Sequence, residues 1–215
     1  MNSDQLEQLA VGDSFILSGV QWAVRELNLF QDPSGYRTVE WRVQSSRAGE
    51  YYLMVEHDPA HPAGPIWYLS ERLPSPKLIR PDTGGNVFGK LQETFSSHAA
   101  PPPALAVNGT TFLFESSSSG TFTSDGETQH RSTWEYWDQT HSRNLALEFW
   151  DDGNLLVYQA RTIRPESVIT LQKGGAKEVP DRFFGQSKPG TAEWICALAL
   201  TIIGLMMFFA GISRP

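Results

Sequence analysis

Apolar and polar residues alternate one by one through much of this chain. Val39, Trp41 and Val43 are separated by Glu40 and Arg42, and Leu145, Leu147 and Phe149 alternate with Asn144, Ala146 and Glu148. A period of two puts one set on each face of an extended strand, so these segments predict β-structure. The aromatic and β-branched residues that dominate them suit a pleated surface. Stretches such as "DPSG", "DDGN" and "SSSSG" read as turns or loops between strands. Helical spacing is confined to "SDQLEQL", where Ser3 is placed to cap and Leu6 and Leu9 to pack, and to "GKLQETFSSH".

The alternating segments recur in order. "LAVGDSFILSG" from Leu9 is echoed by "LAVNGTTFLFE" from Leu105, "TVEWRV" by "TWEYWD", "YYLMVEHD" by "LALEFWDD" and "IWYLSERL" by "LLVYQARTI". Glu40 and Glu135 then match at an offset of 95 residues, and Glu56 and Glu148 at 92. Such a series predicts a degenerate internal duplication. The expected fold class is mainly β: two related small antiparallel modules in tandem, residues 1–95 and 105–171, each a compact sheet or half-open barrel. Residues 96–104, "SSHAAPPPA", are stiffened towards polyproline II and read as the linker between them. Residues 172–192, rich in Gly, Pro and Lys, read as a second, flexible linker.

Beyond that linker the pattern changes. From Trp194 to Ile212 nineteen residues run without a charge, bracketed by Glu193 and Arg214. As a helix they reach roughly 28 Å, close to the hydrocarbon thickness of a bilayer. A core helix would show a polar stripe, and this stretch offers only Cys196 and Thr201. It predicts one transmembrane α-helix over residues 193–213. Ala197, Gly204 and Gly211 recur every seven residues, which gives the helix a small-residue face for packing against a second copy. The N-terminus "MNSDQLEQLAVGDSF" has neither a basic nor an apolar leader region. The expected topology is therefore single-pass and tail-anchored, with the N-terminal part in the cytoplasm.

Composition narrows the function. A net charge of -7, with no run of basic residues, argues against a nucleic-acid partner. The single cysteine, Cys196, excludes a disulfide within the chain and a cysteine-based zinc site. No phosphate-binding loop or dinucleotide fingerprint is present, and no cofactor is expected. In "VEHDPAH", Glu56, His57, Asp58 and His61 bring metal-ligand types together, but their spacing suits a Pro-containing loop better than a metal site. Glu40, Glu56, Glu135 and Glu148 hold matched strand positions and could do acid–base chemistry, as in a membrane-tethered hydrolase. On the polar side of a strand they are more simply neutralised, by Arg42 or Arg47. Of the seven tryptophans, Trp137 and Trp150 fall on the opposite phase to Tyr136 and Phe149. They need either a binding partner or the interface between the two modules to cover them, and the interface is favoured.

The Gly-Asp opening "GDSFILSGVQWAV", the run "YYLMVEHD…WYLSERL" and the "WEY" of Trp134 to Tyr136 resemble the bacterial DUF4178 family over roughly residues 9–171. The family pattern has Trp-x-Glu-Tyr where this chain has "WEY", and "VEW" in the first module. The resemblance implies a β-rich fold without an established activity, in proteins that accompany membrane-stress and membrane-remodelling systems. Together these readings predict a scaffold or interaction domain held at a membrane and engaging a protein partner, with the hydrolase as the alternative.

Overall fold

The computed structural model describes residues 1–60 and 64–174. In chain order the elements are α1 (Ser3–Glu7), β1 (Ser14–Leu17), β2 (Val20–Gln31), β3 (Arg37–Gln44), β4 (Tyr51–His57), β5 (Ile66–Arg72), α2 (Phe88–Ser96), β6 (Ala104–Val107), β7 (Thr110–Ser124), β8 (Glu127–Trp137), β9 (Arg143–Trp150), β10 (Leu155–Ile163) and β11 (Val168–Gln172). The protein is mainly β with few helices. Every strand pairing is antiparallel.

The strands of the two sequence halves join in one sheet of order β11-β1-β2-β3-β4-β5-β10-β9-β8-β7-β6. Two junctions make it continuous. β5 pairs with β10, with Ser70 opposite Ala160, and β2 pairs with β7, with Phe30 opposite Phe122. The second junction closes eight strands, β2 to β5 and β7 to β10, into a barrel. The first four residues of β2 and of β7 pair instead with β1 and β6, which extend beyond the ring.

Strict alternation gives this barrel an unusual distribution of polarity. Trp41, Val43, Leu53, Val55, Trp67 and Leu69 face outward into one apolar cluster, completed by Leu6, Leu9, Phe15, Leu17 and Trp22. Trp134, Tyr136, Leu145, Leu147, Phe149 and Val157 face outward into a second, completed by Leu78, Leu91 of α2, Leu105 and Phe112. The residues between them on the same strands, Glu40, Tyr52, Glu56, Tyr68, Glu135, Glu148 and Tyr158, point inward. Burial of the outward faces under the helices and flanking strands supplies the hydrophobic stabilisation. An indole alone removes about 150–250 Å² from water, at about 25 cal/mol per Å².

The first cluster also fixes α1. Trp41 and Trp67 stack with centroids 5.7 Å apart; their indole N–H groups donate to Leu9 O and Ser3 Oγ, both at 2.9 Å. The α1 cap is Asn2 rather than Ser3: Asn2 Oδ1 accepts from Gln5 N while Gln5 Oε1 accepts from Asn2 N. Ser3 is occupied by Trp67.

The stretch "SSSSG" is not a loop. Ser116 to Gly120 lie inside β7, paired with β8 just before the residues that pair with β2. A Cβ on Gly120 would overlap Gln31 O and sit 2.8 Å from Asp32 Cα, so only glycine lets the two strands close. The tight reversals fall elsewhere, at Ser18-Gly19, Asn108-Gly109 and Asp125-Gly126. All six residues have positive φ, as two-residue hairpin turns require.

β11 returns to pair with β1 and extends through Gln172, the first residue expected in the linker. Asp13 secures it: its carboxylate accepts from Ala10 N, Lys173 Nζ and Gly174 N at 2.8–2.9 Å. Among the described residues no helix is long and apolar enough to cross a membrane. The expected span 193–213, with Cys196, Ala197, Gly204 and Gly211, lies outside the described residues, as do most of the linker and His61.

Candidate functional site

The barrel interior gathers four carboxyl groups and one guanidinium. In register, Thr38 faces Glu56 across β3 and β4, and Thr133 faces Glu148 across β8 and β9. Met54 faces Tyr68, and Ala146 faces Tyr158. Glu40 and Glu135 each follow their threonine by two residues. Glu40, Glu56 and Tyr68 therefore hold the same places in one half as Glu135, Glu148 and Tyr158 in the other. The counterpart of Arg131 is Tyr36.

Arg131 is the centre of the arrangement. Its Nη2 donates to Glu40 Oε1 at 2.8 Å and its Nη1 to Glu148 Oε1 at 2.9 Å, with all three residues nearly fully buried. The guanidinium lies 4.4 Å from the Phe30 ring centroid, 4.9 Å from Phe122 and 5.9 Å from Trp150. These contacts replace water around a weakly hydrated cation. The two carboxylates hold Arg131 firmly in its charged form, against the opposing effect of burial. Neutralisation thus comes from within the second half of the chain, at Arg131. Arg42, expected in that role, pairs with Glu26.

The other carboxyl groups experience a different field. Burial pushes Glu135 up to about 7, and Glu56 and Glu40 add to the effect; a hydrogen bond from Asn144 Nδ2 and the charge of Arg131 oppose it. Glu148 is also raised, first by burial and then by Glu40 and Glu135, with Arg131 opposing. Burial likewise raises the phenols of Tyr36, Tyr52, Tyr68 and Tyr158. The space left between these side chains is about 50 Å³. A buried water needs about 10–15 Å³ of such space, so the interior has room for a few waters.

Trp137 and Trp150 occupy separate places. Trp137 lines the interior, 5.9 Å from Tyr68 and stacked on His141 at 5.7 Å. Trp150 stands edge-on to Phe122 at 4.9 Å, and its outer side borders a surface groove with Ser124, Asp125, Glu127 and Gln129. Asp125 and Glu127 are exposed; beside them Asp151 faces His130 at 3.5 Å. The groove combines aromatic surface with an acidic rim. Its second aromatic, Phe122, sits in a Ser/Thr-rich stretch whose composition signals a loop.

His57 Nε2 lies 3.4 Å from Glu7 Oε2, on the outside of the barrel wall from Glu56. Among the described residues no three His, Cys, Asp or Glu side chains form a metal-binding group.

Residues 10–165 match the family model described as a domain of unknown function, DUF4178, and the chain belongs to that family. No curated protein and no solved structure matches the chain.

Proposed function

We propose that this member of the DUF4178 family is a membrane-held docking module, and that the groove beside Trp150 receives a basic segment of a protein partner. The observation that carries the reading is the groove itself. Phe122 and Trp150 offer aromatic faces at the surface, and Asp125 and Glu127 border them with negative charge. Aromatic surface with an acidic rim attracts Lys or Arg side chains through cation–π contact and complementary charge. The overall charge of -7 points the same way.

Two further parts of the reading come from sequence. The uncharged stretch Trp194–Ile212 is the anchor, single-pass with the barrel on the cytoplasmic side, and its Ala197–Gly204–Gly211 face is a self-association surface. The two halves of the barrel are copies of one module. Their matching element order and the matched places of the four glutamates support that descent. Placement at a membrane fits a role in membrane stress or remodelling, where recruitment raises the local concentration of a partner.

A hydrolase remains the second reading, because Glu135 has the raised pKa of a general acid. The size of the interior weighs against it: about 50 Å³ is small beside the roughly 300–1,000 Å³ of a typical ligand pocket.

Titration of the full chain in detergent with an Arg/Lys-rich peptide, followed by tryptophan fluorescence, tests the docking reading. Binding should weaken with salt and fall at least tenfold in an Asp125→Asn/Glu127→Gln double variant. Equal binding of a neutral peptide of the same length, or no effect of the double variant, would contradict it.

A further inference from the structure

Among the described residues lining the barrel interior, four are glutamates and one is cationic. Arg131 is bonded to Glu40 and Glu148, one from each half. At the place in the first half that corresponds to Arg131 stands Tyr36, which has no charge to offer. Glu135, the counterpart of Glu40, therefore receives a neutral amide hydrogen bond, from Asn144, where Glu40 receives a guanidinium. Facing Glu135 are Tyr36 from just before β3 and Glu40 from its middle, Tyr52 and Glu56 from β4, and Tyr68 from β5. Arg131 comes from its own strand, Glu148 from β9 and Tyr158 from β10; β2 and β7 contribute Phe30 and Ser118, which do not titrate. The field at Glu135 is thus predominantly negative, and the side chain is largely screened from solvent.

We propose that Glu135 is a proton-operated latch: as the neutral acid it lets the two halves close around the single guanidinium, and on ionising it loosens them. The proton stands in for a second cation, which is absent among the described lining residues. Protein carboxyl groups ordinarily titrate near 4.5, and burial carries Glu135 up to about 7. A carboxyl group whose value rises on folding holds its proton in the folded state after the unfolded chain has lost it. Its contribution to stability is complete below about pH 4.5, falls as the pH rises towards 7, and is gone above that. Most carboxylates in proteins act in the opposite sense. Mild acidification from slightly alkaline pH should therefore tighten this barrel. The inference does not depend on what occupies the Trp150 groove.

The experiment is urea unfolding of the full chain in detergent, from pH 5 to 8, beside Glu135→Gln, which keeps the shape and the Asn144 contact without the charge. The wild type should lose stability between pH 5 and 7.5. The variant should keep only the smaller decline that Glu148 contributes and be at least tenfold more folded, relative to wild type, at pH 7.5 than at pH 5, since each unit of displacement is worth a factor of about ten. Parallel profiles would overturn the proposal. Should the variant not fold, carboxyl ¹³C titration of the wild type decides. A midpoint near 7 assigned to Glu135 supports the latch, and a Glu135 midpoint below 5 overturns it.

Discussion

Arg131 and Glu40 meet at 2.8 Å although they lie 91 positions apart in sequence, and both are nearly fully buried. The contact joins β8 of one half to β3 of the other inside a barrel whose walls are apolar outside and polar within. It ties the ion pair to closure: Arg131 has Glu148 within its own half, but Glu40 meets its cation only when the halves come together. Taking two charges out of water costs several kcal/mol each, so the pair specifies the arrangement more than it stabilises it.

Replacing Arg131 with Met should therefore cost about 3–5 kcal/mol, because it leaves Glu40 and Glu148 buried without their cation. Urea unfolding at pH 7.5 measures this. The loss should shrink at pH 5, where Glu148, already raised by burial, takes a proton more readily.

Gly120→Ala should open the seam between β2 and β7 while leaving the rest of the sheet paired. Overpacking of this kind costs about 1–3 kcal/mol. Amide hydrogen exchange should accelerate at Asn28–Gln31 and Thr121–Ser124, the residues of the closing ladder, and much less in β4 and β9. Uniform acceleration would show that the seam is not a separate unit.

Asp13→Ala should release β11. The carboxylate takes two backbone N–H groups and Lys173, and its pKa lies below the ordinary value: burial raises it, and the hydrogen bonds from Ala10, Lys173 and Gly174 together lower it further. A lowered carboxyl value stabilises the fold above the unfolded value of 3.8 and ceases to do so as the pH falls through the folded one. Limited proteolysis should cut the variant near Gln172 at neutral pH, and the wild type should resist there until strongly acidic pH.

Much of this fold can be read from residues. The alternations in "TVEWRV", "YYLMVEHD", "TWEYWD" and "LALEFWDD" correspond to β3, β4, β8 and β9, and the matches of Glu40 with Glu135 and Glu56 with Glu148 agree with the hydrogen-bond register. Which face was inside was not legible. Alternation gives two faces without saying which one a closed barrel will enclose, and the usual preference for apolar interiors misleads here because the helices cover the outer wall. The similarity of "LAVGDSF" to "LAVNGTTF" also misleads: Gly109 sits in a hairpin turn whose counterpart is Gly19, not Gly12.

The candidate site was half visible. The glutamates could be picked out as matched positions, but their cation could not, because Arg131 lies in "TQHRST", a polar run without apolar alternation. Trp150 could be recognised by its phase. Phe122 and Asp125, its companions in the groove, reach it through the β7–β8 hairpin, and a serine-rich strand carries no sequence signal of its own.

The most direct test of the docking account is amide chemical-shift mapping of an Arg/Lys-rich peptide on the full chain in detergent micelles. The account predicts saturable shifts concentrated at Phe122, Ser124, Asp125, Glu127, Gln129 and Trp150, reversed by salt. Shifts centred elsewhere on the barrel, or none at all, would contradict it.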